Sequence, residues 1–142
     1  MSSNKINAKN APKPVGLYPH ARKVGNLLFL SGVGPRKAGS GPNDSHVPGL
    51  ELDHNGNFKS FDFASQCHSV FQNVKTILEE SGSSWENLVD ITVFLVDMKR
   101  DFQTFNKIYA DYFSDNQPTR TTIEIKSLPT PIAIELKVIA TI

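Results

Sequence analysis

The sequence is poor in the features that mark several large classes of protein. Its 142 residues include one cysteine, Cys67, which excludes an internal disulfide and a zinc site built from several cysteines. The four histidines show none of the spacings typical of metal ligands, so we expect no bound metal. No apolar run approaches the roughly 18 residues that are needed to span a bilayer. The longest runs, such as 91–96, have the length of a strand, so we expect no membrane partner.

A strong charge of either sign is also lacking. Fifteen basic and 14 acidic residues leave a formal net charge of +1. Because proteins that bind nucleic acid usually carry a strongly basic total or a basic face, this balance argues against a nucleic-acid partner. The first residues are polar and contain no apolar stretch of signal-peptide length, so we expect a cytoplasmic protein.

The length suits about one domain, with a polar segment before it. Residues 1–14 contain Pro12 and Pro14 and predict a flexible N-terminal arm, which leaves 15–142 as a single domain. Glycine, proline and asparagine are frequent between 34 and 58, which indicates a long loop with room for a hairpin. Loops of this length are mobile or functional, and the sequence leaves open whether this one closes over a site as a lid.

The spacing of apolar residues predicts the regular elements. Helical periodicity predicts one helix over 61–81, with Cys67 buried and inert on its apolar stripe. A second helix is expected over 101–113, capped by Asp101 after a turn at 97–100. Short β-branched or alternating runs predict four strands, at 27–30, 91–96, 120–126 and 132–140.

This order of elements indicates an α+β fold. A mixed β-sheet with two α-helices packed on one face would bury both helical stripes at once. The other face would carry Thr92, Phe94 and Val96, or the residues that alternate with them, and either set is too apolar to be left in water. Since a large exposed apolar patch favours association, we expect an oligomer that forms through the uncovered face of the sheet.

The motifs of several common enzyme classes are absent. The sequence contains no G-x-S-x-G nucleophile elbow, no phosphate-binding loop and no G-x-G-x-x-G dinucleotide fingerprint. The candidates for a site are instead polar groups at strand ends and in segments that contain glycine. These candidates fall in three segments, 16–20, 31–37 and 118–122, together with Glu135 on the last strand.

Seven short motifs occur in and around these segments, in one order along the chain. They are Gly16-x-Tyr18, Leu30-Ser31-Gly32, Val93-x-x-x-Asp97-Met98, Asn106-x-x-Tyr109-x-x-x-Phe113, Pro118-x-Arg120-Thr121-Thr122, Leu128-Pro129 and Ile134-Glu135-x-x-x-Ile139-Ala140. With this combination the sequence resembles the RidA (YjgF-type) family of enamine/imine deaminases, over nearly the whole chain. Finer details are similar to the 2-aminomuconate deaminase branch of that family, namely Pro19-His20, Arg36-Lys37, the extended 36–58 loop and Pro129-x-Pro131.

The resemblance implies a fold, an assembly and a site. The fold would be a chorismate-mutase-like sandwich, and the assembly a homotrimer with its sites between subunits. The family uses no cofactor or metal and acts on small carboxylate-bearing enamines and imines. In the catalytic pair, Arg120 would bind the substrate carboxylate and Glu135 would orient the attacking water. The matching motifs also imply a set of substrate-binding residues, Tyr18, Ser31, Gly32, Asn106 and Thr122.

A dicarboxylate such as 2-aminomuconate needs a second cation, because an unpaired buried carboxylate is costly. Near the site segments we favour Arg36 together with His20, which could also carry a proton near neutral pH. Arg22 and Lys37 are the other nearby donors, and solvated surface roles suit them equally well.

The sequence leaves three functions open. The first is hydrolytic deamination of 2-aminomuconate to 2-oxohex-3-enedioate (4-oxalocrotonate) and ammonia. The second is a general deaminase of 2-iminobutanoate, 2-iminopropanoate and 2-aminoacrylate, and the third is a non-enzymatic binder of small organic acids. Simpler roles also stay open for the catalytic pair, since Arg120 could be a surface cation and Glu135 could pair with Lys137 two residues later.

Overall fold

The computed structural model describes residues 4–41 and 46–142. In chain order it contains β1 (Lys5–Ile6), β2 (Ala21–Val24), β3 (Leu27–Leu30), β4 (Glu51–Leu52), β5 (Phe58–Ser60), α1 (Phe63–Glu80), β6 (Leu88–Leu95), α2 (Met98–Tyr112), β7 (Thr119–Glu124) and β8 (Ile134–Thr141). Six strands form one sheet in the order β1-β2-β3-β8-β6-β7, and β4 pairs with β5 separately. Only β6 and β7 run parallel, connected by α2, so the predicted mixed α+β fold is confirmed.

Both helices pack on the same face of the sheet. Along β8 the side chains alternate, and Ile134, Leu136 and Val138 are fully buried on the helix side. Helix α1 adds a buried stripe that includes Phe71 and Cys67, as the periodicity predicts. Desolvation by burial raises the pKa of the Cys67 thiol to about 12, which leaves it protonated and inert.

The start of α2 differs from the prediction. The segment 97–100, expected as a turn, instead contains the N-cap and first turn of the helix, because the Asp97 carboxylate accepts a hydrogen bond from the Arg100 backbone N–H at 3.1 Å. Asp101, expected as the cap, is buried inside the helix and accepts two hydrogen bonds at 2.8 Å from the Arg100 guanidinium. Two acidic residues four positions apart could each start this helix, and the first of them does.

Residues 4–14, for which the sequence predicts a flexible arm, are paired and packed against the domain in this structure. Strand β1 pairs with β2, and Ala8 and Ala11 are buried in the main core. The Glu80 carboxylate accepts hydrogen bonds from two successive backbone N–H groups of this segment, at 2.7 and 3.1 Å. The segment is polar in composition, but small residues and backbone groups fasten it to the domain.

The face of the sheet opposite the helices is largely apolar and partly open. Thr92 and Phe94 lie on this face, as predicted, and are half-buried in the chain alone. Val89 and Ile123 are 44% and 38% exposed, which adds apolar surface to the same region. The loop at 36–58 contains the β4–β5 hairpin, and its residues 42–45 lie outside the described part of the chain. Among the residues described, no helix combines the length and apolar character of a membrane span.

Candidate functional site

The first part of the candidate site is a cavity at the end of β3. It has a volume of about 140 Å³ and lies beside the open face of the sheet. Glu135 projects into it from β8, and Arg36 and Tyr18 reach it from the segments on either side of β2 and β3. The remaining lining residues are Val15, Gly32, Gly34, Pro129, Thr130 and Ile132. Four of the predicted site residues therefore share one cavity.

Gly32 lies beside the Glu135 carboxyl group in this cavity. A Cβ atom on residue 32 would lie 2.7 Å from the Glu135 Oε2 atom, so glycine is needed to leave room for the carboxyl group. Burial raises the pKa of the Glu135 carboxyl above its ordinary value, because the charged form loses solvation. The pairing of Glu135 with Lys137 that the sequence left open is not formed, since the Lys137 Nζ atom donates to the Leu30 carbonyl instead.

Ser31 shapes the cavity through hydrogen bonds that it makes to the preceding turn. Its hydroxyl donates to the Pro19 carbonyl at 2.7 Å, and its backbone N–H donates to the His20 carbonyl at 3.0 Å. Both bonds hold the Ser31-Gly32 turn against the segment 16–20. Within this segment Tyr18 is 41% exposed at the opening of the cavity. The hydroxyl is occupied, so Ser31 acts here by positioning Gly32.

His20 does not supply the free cation or proton carrier predicted for it. Its Nδ1 atom accepts a hydrogen bond from the Ala8 N–H at 2.9 Å, so the ring proton lies on Nε2 and is donated to the Pro12 carbonyl at 2.7 Å. The ring is buried and both nitrogen atoms are occupied. The prediction is therefore corrected: His20 fastens the N-terminal segment beside β2 through both of its ring nitrogen atoms.

Arg36 reaches the cavity but also has structural partners. It is buried, with 9% of its surface exposed, and it donates to the Lys13 carbonyl at 2.6 Å and the Gly41 carbonyl at 3.3 Å. Burial lowers the pKa of its guanidinium, although an arginine stays charged at neutral pH. Within the described residues no carboxylate forms an ion pair with it. A buried cation that has no carboxylate partner in the described part of the chain, and that has further N–H donors, suits an anion-binding position.

Arg120 lies elsewhere, between β7 and α2. Its strand position pairs with Ile91, which is buried on the helix side, so the arginine side chain also points to that side. The guanidinium carbon lies 4.6 Å from the ring centre of Tyr109 and 5.3 Å from that of Phe105. Among the described residues the guanidinium has no hydrogen bond or ion pair, so its N–H donors are available.

Thr122 and Asn106 lie on the same side of the sheet as Arg120. Thr122 pairs with Val93 in β7 and β6, and its buried Oγ1 atom has no hydrogen-bond partner among the described residues. Asn106 is half-buried on α2, three residues before Tyr109, whose buried hydroxyl group also lacks a partner in the described part of the chain. Motif matches in the sequence pointed to Arg120, Asn106 and Thr122, but they assigned no role to the rings beside the arginine.

The predicted catalytic pair is divided between the two faces of one sheet. Glu135 pairs with Phe94 on the open face, whereas Arg120 pairs with Ile91 on the helix face, and β6 runs between their two strands. A single chain therefore does not bring the guanidinium and the carboxyl group into one cavity. The described residues also contain no cluster of histidine, cysteine, aspartate and glutamate that could hold a metal.

Fold and geometry together define a class: a small α+β sandwich with a half-buried carboxyl group on one side of its sheet and, on the other, an arginine that has no ion-pair partner among the described residues. Residues 8–142 match the model of the family described as Endoribonuclease L-PSP. The chain belongs to this family, which is also the RidA or YjgF family and includes reactive intermediate deaminases.

Similarity to individual proteins extends over almost the whole chain. Reactive Intermediate Deaminase A, chloroplastic, from Arabidopsis thaliana is 35% identical over 137 residues, which cover 96% of this chain and 65% of the relative. The crystal structure of the YjgF gene product from E. coli is 31% identical and superposes with a TM-score of 0.79, covering 98% of both chains. The crystal structure of E. coli TdcF with bound serine is 27% identical, with a TM-score of 0.79 and coverage of 97% and 98%. These neighbours confirm the chorismate-mutase-like fold.

Proposed function

We propose that this protein hydrolyses the imine tautomer of small carboxylate-bearing enamines, releasing ammonia and a 2-oxo acid. The observation that carries the proposal is the pair of half-sites: an arginine whose N–H donors have no partner among the described residues, and a half-buried carboxyl group whose pKa is raised by desolvation. The first can bind an organic acid, and the second can accept and return a proton. A relative named as a reactive intermediate deaminase supports the same reaction.

The two half-sites meet between subunits in this proposal. Since Arg120 and Glu135 lie on opposite faces of the sheet, a complete site needs Arg120 of one subunit and Glu135 of a neighbour. The open face, with half-buried Phe94 and exposed Ile123, offers the apolar surface through which copies would associate. We expect a homotrimer of about 47 kDa, three times the 15.7 kDa of the chain. Light scattering during gel filtration measures this mass, and a monomer at catalytic concentration contradicts the proposal.

Each residue then has a defined chemical task. The Arg120 guanidinium binds the substrate carboxylate through a planar pair of N–H donors, which fixes the imine carbon close to Glu135. A water molecule attacks that carbon while the Glu135 carboxylate accepts one of its protons, and Glu135 passes this proton to the imine nitrogen, giving a neutral carbinolamine. Glu135 then takes the proton of the new hydroxyl group and passes it to the amino nitrogen, so the C–N bond breaks with its electron pair on nitrogen, ammonia leaves and the carbonyl group forms. Gly32 leaves the space in which this carboxyl group lies.

A dicarboxylate such as 2-aminomuconate is the substrate that we propose within this class. Arg36 supports this choice, because it lines the same cavity as Glu135 and has no carboxylate partner among the described residues. With one carboxylate on Arg120 of the neighbouring subunit, the distal carboxylate would lie at Arg36. The alternative substrate is a monocarboxylate such as 2-iminobutanoate, for which Arg36 is not needed.

Ammonia release from the two substrates distinguishes these alternatives. Arg36→Gln keeps a donor for the backbone carbonyls and removes the charge, so we expect it to reduce turnover of 2-aminomuconate at least tenfold and to spare 2-iminobutanoate. The thermal melting temperature of the variant controls for its structural bonds to Lys13 and Gly41. Equal losses on both substrates would contradict the dicarboxylate assignment.

Arg120→Ala tests the reaction class itself. We expect it to abolish ammonia release from both substrates, because no other described cation reaches the helix side of β7 near the proposed carboxylate position. A protein that binds 2-oxobutanoate but releases no ammonia from either imine would support the non-enzymatic binder instead. The cytoplasmic location stays a prediction, which fractionation of cells that express the tagged protein would test.

A further inference from the structure

The side chain of Arg120 lies against three aromatic rings of α2. The guanidinium carbon is 4.6 Å from the ring centre of Tyr109, 5.3 Å from that of Phe105 and 6.0 Å from that of Phe102. Their spacing of three and four residues places the rings on one face of the helix. We refer to these three residues, Phe102, Phe105 and Tyr109, as the aromatic cradle.

Two rings of the aromatic cradle, those of Tyr109 and Phe105, are packed against other rings of the core. Tyr109 stacks on Phe113 with ring centres 4.3 Å apart, and it contacts Phe105 at 5.5 Å and Phe71 at 6.2 Å. Phe105 and Phe71 are fully buried in the core. Since packed interiors leave side chains in single rotamers, the faces that the cradle presents to Arg120 are fixed in position.

A cation held by ring faces differs from one held by a carboxylate. A carboxylate partner would occupy the N–H donors and neutralise the charge, whereas the negative face of a ring attracts the cation and leaves its N–H edge unoccupied. Among the described residues Arg120 has no such carboxylate. The arrangement therefore fixes the orientation of the guanidinium and keeps its donors for an external anion.

We propose that the aromatic cradle positions Arg120 for the substrate carboxylate, with the ring face of Tyr109 as its main contact. The proposal rests on the carboxylate-binding role of Arg120 proposed above. It makes Tyr109 a positioning residue that acts through Arg120, and it assigns the effect to the ring and not to the hydroxyl group.

Two substitutions at Tyr109 separate the ring from the hydroxyl. Tyr109→Leu removes the ring face, and we expect the dissociation constant for 2-oxobutanoate, measured by calorimetry on the full-length protein, to rise about fivefold. The KM for 2-iminobutanoate should rise similarly while kcat changes less than twofold, because Glu135 is untouched. Tyr109→Phe keeps the ring and should restore the affinity to within about twofold of the wild type.

Phe71→Leu is the matched control. This substitution removes another ring that contacts Tyr109 in the same cluster, but Phe71 makes no ring contact with Arg120 among the described residues. We expect it to lower the melting temperature as Tyr109→Leu does and to leave the affinity for 2-oxobutanoate unchanged. Equal losses of affinity in both leucine variants would show a general packing effect and overturn the proposal.

The remaining outcomes are also decisive. If Tyr109→Phe loses as much affinity as Tyr109→Leu, the hydroxyl group is responsible and the cradle proposal is wrong. If Arg120→Ala binds 2-oxobutanoate as well as the wild type does, the carboxylate role of Arg120 fails, and the proposed function fails with it. If Arg120→Ala loses binding but Tyr109→Leu keeps it, only the cradle proposal is overturned.

Discussion

The contact between Gly32 and Glu135 gives the sharpest test of the proposed chemistry. In Gly32→Ala, the new methyl group would lie 2.7 Å from the Glu135 Oε2 atom and 3.0 Å from its Cδ atom. Both distances are shorter than van der Waals contact, so one of the two groups must move. Carboxyl ends of glutamate side chains rotate readily, whereas the backbone at the end of β3 is held by the bonds of Ser31. We therefore expect the carboxyl group to move by roughly 1 Å.

A displacement of that size has a large effect on catalysis and a small one on stability. Misplacing a catalytic group by about 1 Å lowers the rate on the order of 100-fold, which corresponds to about 2.7 kcal/mol of transition-state free energy. The cost to folding is one rotamer change, about 1 kcal/mol. Ammonia release from 2-iminobutanoate and urea denaturation of the same preparation measure the two quantities.

Gly34→Ala is the control for this prediction. A methyl group there would lie 2.9 Å from the Ile132 Cδ1 atom, so it crowds the same cavity without touching Glu135. We expect Gly34→Ala to lower kcat/KM by less than about tenfold. A Gly32→Ala protein that retains kcat/KM within threefold of the wild type would refute the role given to the position of Glu135.

Three further predictions concern single groups. Glu135→Gln should lower kcat/KM about 1000-fold. Because the pKa of Glu135 is raised in the folded state, its own contribution to the free energy of unfolding is lost as pH rises from the unfolded pKa through the folded one. The stability of the wild type relative to the glutamine variant should therefore be lower at pH 7 than at pH 4 in urea denaturation. His20→Leu should lower the free energy of unfolding by about 2–4 kcal/mol, because it leaves the Ala8 N–H and the Pro12 carbonyl without partners. Cys67, with its pKa raised to about 12, should resist iodoacetamide at pH 8 in the native protein and react after unfolding in urea.

The sequence predicts the elements of this fold well where apolar residues determine them. The run at 27–30 forms β3 with those same bounds, and the alternation after residue 132 describes the buried side of β8. Prediction failed at α2, where two aspartates offered equivalent caps, and in the N-terminal segment. Burial of Ala8 depends on small size and on backbone bonds to a distant glutamate, which no hydropathy pattern records.

For the site, residue types were predictable and their environments were not. A motif match identifies Glu135, the need for a second cation identifies Arg36, and both residues line one cavity. The partners of His20 are an amide and a carbonyl group 12 and 8 residues away, so nothing in the identity of nearby side chains signals that the ring is occupied. The aromatic stripe of α2 looks like ordinary core until β7 places Arg120 across it.

The alternation of side chains along β-strands explains why this chemistry would depend on assembly. β7 and β8 each pair with β6, and their registers direct Arg120 toward the helices and Glu135 toward the open face. No side-chain rotation carries either group through the sheet. The helix side supplies the packed rings that orient a cation, while the open side supplies a cavity whose burial raises a carboxyl pKa. The helix side suits the binding of the substrate carboxylate, and the open side suits the proton transfers of imine hydrolysis. Neither side of a single chain contains both groups. A deaminase built on this sheet therefore needs a second copy, and the measurement of molecular mass comes before any interpretation of its kinetics.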